Sequence, residues 1–339
     1  MRRRTNYLSA LVLAVAVAMT GCVALPVPHQ SASIATPGAT ISPAATPSPS
    51  PIVIDPAVAA VYDYVDPLID QALSALAAAP RDDLPHADIA FEYARSSLTP
   101  ADQTLYDTIV AKEQAVEPYR YPAPQDFAVI QALTKDYPEL DSYSAPLDVA
   151  DGNQELFYFR PSARDDATTD YAQVRADILP MWAAAERIVQ RMPAEASTYD
   201  KYRYLAYVET LVVTYDFAVL NPADGADLRT SNTAYGALAL HRAVCVGYTE
   251  AYYYLCRLAG LWCAQVSGGP GHLWNLVKLD TGTYYVDVTW SDGEQPTGEH
   301  SALGSPEWLA YFMFDQATAA QNDHLTSMES DYATGTQQF

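Results

Sequence analysis

Basic residues are scarce in this chain. Lys and Arg number 19 against 41 Asp and Glu, a net charge of −22 over 339 residues. Such a surface repels a polyanion, which argues against general nucleic-acid binding. Cysteine is scarcer still: four residues, none in a Cys-x-x-Cys pair. Neither a disulfide scaffold nor a zinc ribbon or finger is expected. No cluster of His, Cys and acids has metal-ligand spacing, so no metal or other cofactor is called for. Long apolar runs are missing too, the stretch from Leu8 to Met19 being too short for a comfortable bilayer span. What is abundant is apolar and aromatic: half the residues are apolar and 25 are Tyr. That suffices to bury a core, so global disorder is excluded. The length allows two domains at about 100–200 residues each.

The first 22 residues read as an address. Arg2, Arg3 and Arg4 precede the short apolar run, and Met19-Thr20-Gly21-Cys22 follows it. Small residues before a Cys resemble the lipobox of bacterial lipoproteins, in which the Cys is acylated and becomes the mature N-terminus. The resemblance implies lipidation at Cys22 and a bacterial cell-membrane lipoprotein facing outside the cytoplasm. Met19 stands where Leu is usual, and ordinary secretion with cleavage nearby is the alternative. Residues 23–56 hold eight of the 24 Pro among Ser, Thr and Ala, with Asp55 as the one charged side chain. Such a segment cannot build a core and reads as a stiff, extended spacer.

Residues 57–195 form the first expected domain, mainly helical. A helix-prone run from Ala57 to Ala79 is interrupted at Pro67. Thr99-Pro100-Ala101-Asp102 is a helix start, with Thr99 as cap and Pro100 in the first turn. That helix is expected to reach Gln114, and another to span Asp126 to Lys135. Glu155 to Arg160 reads as a short strand, and Tyr171 to Met192 as a long helix kinked at Pro180. The carboxylates here form no motif and read as a solvated surface.

The chemistry-bearing residues lie in the second expected domain, 196–339. Ser197-Thr198-Tyr199-Asp200 starts a helix that places Tyr204, Leu205, Val208, Leu211, Val212 and Tyr215 on one face. After Cys245, Tyr248, Ala251, Tyr252, Leu255, Leu258 and Ala259 recur at helical spacing, and Gly260 is a natural stop. Cys245 therefore opens a mostly buried helix, where unpaired N–H groups favour thiolate and could stabilise an oxyanion. Two strand-like runs follow, Gly271 to Leu279 and Thr283 to Trp290, around the turn signal Asp280-Thr281-Gly282. In a two-residue hairpin His272 and Asp287 share a face. A regular ladder turning at Thr281-Gly282 would leave them too far apart to bond, so contact needs another register, a bulge or strong twist. Thiol, imidazole and carboxylate in this order make a nucleophilic triad.

Ala243-Val244-Cys245-Val246-Gly247-Tyr248, Gly271-His272-Leu273-Trp274-Asn275 and Asp287-Val288-Thr289-Trp290 together resemble the transglutaminase-like superfamily of papain-like thiol enzymes, over residues 197–300. Tyr199-Asp200-Lys201 and Thr214-Tyr215-Asp216 look like the segment preceding its core. The resemblance implies an α+β fold, a nucleophile helix on an antiparallel sheet, with Cys245 as nucleophile, His272 as general base and Asp287 as its orienting partner. Tyr137-Pro138-Glu139-Leu140 links the first half, more loosely, to the helical region that precedes such domains in secreted bacterial proteins. Departures are His241-Arg242 in place of Gly-Lys, Val246 in place of a polar residue, and Ala206-Tyr207 in place of a His-Asp pair. They leave the substrate contacts and the second oxyanion donor open.

Trp274, Val246 and Tyr248 are candidate substrate-site residues, although packing beneath the strand is the competing role for Trp274. Asn275 reads as structural, Trp290 as core, and Tyr252 to Tyr254 as core or rim. Cys256 and Cys263 are either a disulfide or two buried thiols. His300 and His324, in the acidic C-terminal stretch, read as surface residues. The expected activity is acyl transfer from a protein or peptide carboxamide by a membrane-anchored enzyme. The alternatives are a cysteine peptidase or amidase acting on cell-surface or cell-wall peptides, and a non-catalytic surface scaffold.

Overall fold

The structure is a computed structural model that describes residues 54–79, 89–117, 119–122, 127–142, 146–148, 153–156, 170–220, 228–268, 271–293, 299–321 and 324. The expected leader with Cys22, most of the spacer and residues 157–160 of the expected strand lie outside these residues. The fold is α+β, helical with an antiparallel sheet.

Asp55 caps the first helix, α1 (Pro56–Ala78), by accepting from the Ala57 N–H, and Pro56 occupies its first turn. Pro67 does not interrupt it. Both Pro67 and Asp63, whose carbonyl loses its helical donor, are exposed, so the carbonyl is not stranded in the core. Thr99 caps α2 (Pro100–Ala115) by accepting from the Asp102 N–H at 3.3 Å. Next come β1 (Tyr119–Pro122), α3 (Phe127–Asp136), β2 (Pro146–Asp148) and β3 (Asn153–Leu156), the strands forming an antiparallel sheet in the order β1-β3-β2. The long helix α4 (Tyr171–Gln190) keeps Pro180 inside it. Ser197 caps α5 (Thr198–Val212). That helix is buried nearly all round rather than on one face, and Tyr215 lies beyond it in β4 (Thr214–Tyr215).

A six-residue helix, α6 (Ala234–Ala239), leads into β5 (Arg242–Ala243), which pairs in parallel with β4. Cys245 then opens α7 (Cys245–Leu258), and Gly260 follows it at φ 73°, a left-handed value suited to a residue without Cβ. The strands β6 (Cys263–Gly268), β7 (His272–Leu279), β8 (Gly282–Val286) and, after the short helix α8 (Val288–Asp292), β9 (Phe312–Phe314) make one antiparallel sheet in chain order.

The largest hydrophobic cluster runs without a break across residue 195. Ile69 of α1 and Ile178 and Met181 of α4 join Tyr204 and Val208 of α5, Leu238 of α6, Tyr252 and Leu255 of α7, and Val277 and Val286 of the sheet. The opposite sheet face carries a smaller cluster that includes Trp262, Val266, Trp274, Tyr285 and Phe314. Cys256 and Cys263 are free, buried thiols.

The Tyr137-Pro138-Glu139-Leu140 segment docks on the far end of α7. Glu139 pairs with Arg257, both almost fully buried. The Arg257 guanidinium also lies 4.3 Å above the Tyr137 ring and 5.1 Å from that of Tyr254. Removing one member of a buried pair strands the other charge. Glu139→Ala is therefore expected to lower unfolding free energy by about 3–5 kcal/mol in urea titrations. Adding Arg257→Met should recover part of the loss, whereas equal stability of Glu139→Ala and wild type would show that the pair does not hold this segment.

Candidate active site

The approach to Cys245 is fixed by backbone contacts. The Thr214 N–H donates to the His241 carbonyl at 2.9 Å, and the Asp216 N–H to that of Ala243 at 2.8 Å. Asp216, buried, accepts from the Ser231 hydroxyl at 2.5 Å, and the Ser231 carbonyl accepts from the Val244 N–H at 2.8 Å. His241 has φ 57°, so the departure from Gly falls at a left-handed residue. Gly247 explains its own place in the motif. A Cβ there would stand 2.7 Å from the Ser231 carbonyl oxygen and 2.8 Å from the Ala243 Cβ, closer than real side chains come. Helix α7 thus seats its first turn directly on the Ser231 segment.

Val244 occupies the cap of α7 and supplies no side-chain hydrogen bond. The first N–H groups of a helix have no intrahelical acceptor. Ser, Asp or Asn would offer them a side-chain acceptor; the apolar cap offers none at the turn that carries the half-buried Cys245.

His272 is the first residue of β7, and Asp287 follows the last residue of β8. The hairpin turns at Asp280-Thr281, with Leu279 opposite Gly282 and Asn275 opposite Val286. This is the different register that contact requires. Continuing the ladder puts Asp287 across from Trp274, diagonal to His272 and within side-chain reach. The His272 Nε2 meets the Asp287 Oδ2 at 2.5 Å. The second strand is shorter than the expected Thr283–Trp290, because Asp287 caps α8: its Oδ1 accepts from the Trp290 N–H at 3.0 Å. With Nε2 on the carboxylate, the ring lines one cavity together with Cys245. Cys245, His272 and Asp287 are thus brought together.

A cavity of about 300 Å³ opens over them, lined by Tyr215, Phe217, Cys245, His272, Thr289, Trp290, Gly293 and Tyr311. Trp290, expected in the core, is 41% exposed. The helical turn begun by the Asp287 cap lifts it off the strand, so that its ring lies 5.2 Å from that of His272. Trp274 and Tyr248 stand behind the wall rather than on it. Trp274 is buried with its ring 5.4 Å from His272, and the Tyr248 hydroxyl donates to Asp292 at 2.8 Å. Val246 is half-buried outside the cavity lining. Asn275 is structural, donating to the Thr249 carbonyl at 3.1 Å, and the Tyr252 to Tyr254 run is buried.

His324 overturns its expected surface place. It is 1% exposed, and its Nε2 meets the same Asp287 Oδ2 at 2.7 Å. His300 pairs with Asp292 at 2.5 Å at the edge of the site. No sequence signal marked His324, which follows Asp287 by 37 residues without a motif around it. Tyr215 had such a signal, in the segment before the core.

Burial would raise the Asp287 carboxyl, but the His272 charge and hydrogen bond, with those of His324, hold it below the usual carboxylate range. Burial would likewise lower the His272 imidazolium. The Asp287 charge and hydrogen bond, and the Cys245 sulfur, outweigh burial and push it up to about 10. The ring is therefore built to carry a proton. His272, Asp287 and His324 are also metal-ligand types, with ligand atoms all within 4.8 Å. However, contacts of 2.5 and 2.7 Å to one oxygen are shorter than the roughly 3.3 Å between ligands of a tetrahedral ion with ~2.0–2.1 Å bonds. Hydrogen bonding accounts for the cluster.

No family model matches the chain, and no curated protein matches it. Among solved structures it is similar to a crystal structure of a TGase, at 16% identity and a TM-score of 0.29 over 51% of this chain and 52% of that one. The chain spans about half the length of that TGase.

A folded-state value above the unfolded ~6.5 keeps the His272 contribution to stability fully present below about pH 6.5. Its contribution then fades as pH rises toward about 10. Asp287→Asn should bring the His272 titration, followed by ring NMR, down to or below its ordinary value. It should also flatten the loss of urea midpoint between pH 6.5 and 10. An unmoved His272 titration would show that the carboxylate does not hold the proton.

Proposed function

We propose that this chain is a transglutaminase-like thiol acyl-transfer enzyme acting on protein or peptide carboxamides, with Cys245 as nucleophile. The observation that carries the reading is one arrangement: a thiol at the start of a helix whose cap residue makes no side-chain bond, lining a cavity with an imidazole that meets a buried carboxylate. A nucleophile helix against an antiparallel sheet is the arrangement expected of a papain-like domain.

In this reading His272 takes the Cys245 proton, and the sulfur attacks the carboxamide carbonyl. The first-turn N–H groups of α7 receive the developing oxyanion. As the tetrahedral species collapses, the C–N bond breaks and His272 returns its proton to the departing ammonia or amine. A thioester remains on Cys245. An incoming amine, losing a proton to His272, gives a new amide and free thiol; water gives the acid. Asp287 keeps the imidazolium aligned throughout. Cys245 is half-buried in the cavity lining, where water could reach the thioester. That access favours the hydrolytic outcome, a peptidase or amidase, as the second reading. The lipid anchor at Cys22 and the Pro-rich spacer would hold this site outside the membrane, near cell-surface peptides.

Alkylation of the full chain at pH 7 with peptide mapping is the test. Cys245 should react at least about tenfold faster than the buried Cys256 and Cys263, and His272→Ala should remove the difference. Equal rates for all three would favour a scaffold. With glutamine-containing peptides, incorporation of a fluorescent amine distinguishes transfer from release of acid, and Cys245→Ala should abolish both.

A further inference from the structure

Asp287 has no exposure to solvent, and its two oxygens meet three donors: the Trp290 N–H on Oδ1, and His272 and His324 on Oδ2. His324 comes from beyond all three sequence motifs. Its ring is enclosed by aromatic neighbours, with centroids 4.6 Å from Trp290, 4.8 Å from Trp274, 5.2 Å from Phe314 and 5.5 Å from Tyr311. Three of these contacts are edge-on, so the ring is held in orientation as well as in place. Its backbone N–H is tied to the Ala319 carbonyl at 3.0 Å.

We propose that His324 is a positioning residue, a second imidazole that fixes the Asp287 carboxylate by donating its Nε2–H while His272 works against the same oxygen. The inference rests on the thiol acyl-transfer reading above. A carboxylate with no water around it turns about its own bond to whichever donors remain. Oδ1 accepts from the helix cap, and Oδ2 is the oxygen that His272 meets. With His324 in place, that oxygen is held by a second donor, and the His272 ring meets one carboxylate orientation. Packing alone would ask only for an apolar ring inside the aromatic enclosure. A donor placed 2.7 Å from the oxygen asks for more.

Gln and Met have the same length, but only Gln carries an N–H donor, so the pair separates donation from space filling. In the full chain, His324→Met should slow Cys245 alkylation at pH 7 by about tenfold, the order expected for losing a hydrogen bond to a charged group. It should also erase the strongly deshielded His272 Nε2 proton resonance that a short imidazole–carboxylate contact produces. His324→Gln should stay within about threefold of wild type and keep the resonance. Should the Met variant fail to fold, His324→Phe fills the enclosure without a donor and is expected to behave as described for Met. Equal behaviour of donor and non-donor variants, in rate and resonance, would overturn the proposal. If Cys245 in the wild type reacts no faster than the other thiols, the acyl-transfer reading falls. The resonance alone then decides His324: kept by Gln and lost with Met or Phe supports the clamp, and no difference removes it.

Discussion

A carboxylate sealed from water is stable as an ion only where donors replace its hydration. Asp287 meets that condition with three, and each belongs to a different structural task. The Trp290 N–H ends a strand and starts a helix, the His272 Nε2–H organises the ring beside the thiol, and His324 brings in the chain beyond β9. Strand length, helix start, cavity wall and imidazole orientation therefore depend on one ionised side chain. The same dependence explains why burial, which disfavours charge on both Asp287 and His272, ends with both charged. Each supplies the counter-charge that the other needs.

The helix that carries Cys245 is held by opposite means at its two ends. At its C-terminal end, Arg257 is buried against Glu139 and two tyrosine rings, and Gly260 turns the chain away. At its N-terminal end, no side chain closes the first turn. Gly247 lets that turn sit against the Ser231 backbone, and Asp216 holds Ser231 in turn. A cap is ordinarily worth about 1 kcal/mol to a helix, and Val244 supplies none. The first half of the chain docks at the other end, through Glu139 on Arg257.

Much of this was legible in advance. The helix starts at Thr99 and Ser197 were, because a hydroxyl three residues before an acid is a local signal that the local backbone obeys. The helix from Cys245, the hairpin and the shared face of His272 and Asp287 followed from periodicity. Other features turn on contacts that a local pattern does not contain. Pro67 passes within a helix because its neighbourhood happens to be solvent-facing. The hairpin register differs by one turn position, which is all that separates two distant side chains from a 2.5 Å contact. Trp290 read as core because it sat on a strand pattern; the Asp287 cap ended that strand at Val286, four residues earlier, and Trp290 is exposed.

His324 shows the limit most sharply. A histidine among acidic residues near a chain's end has every local mark of a surface residue. Its burial depends on four rings drawn from β7, α8, the approach to β9 and β9 itself, and on an oxygen 37 positions upstream. No window of sequence contains them together. What local reading does supply is the demand: an acid placed where water cannot reach must find donors. The three motifs provide two, the His272 ring and the Trp290 backbone. Oδ2 still has room for another, and the aromatic enclosure beside it fits an imidazole. The motif residues thus specify the chemistry, and the fold beyond them supplies the donor that completes the carboxylate's shell.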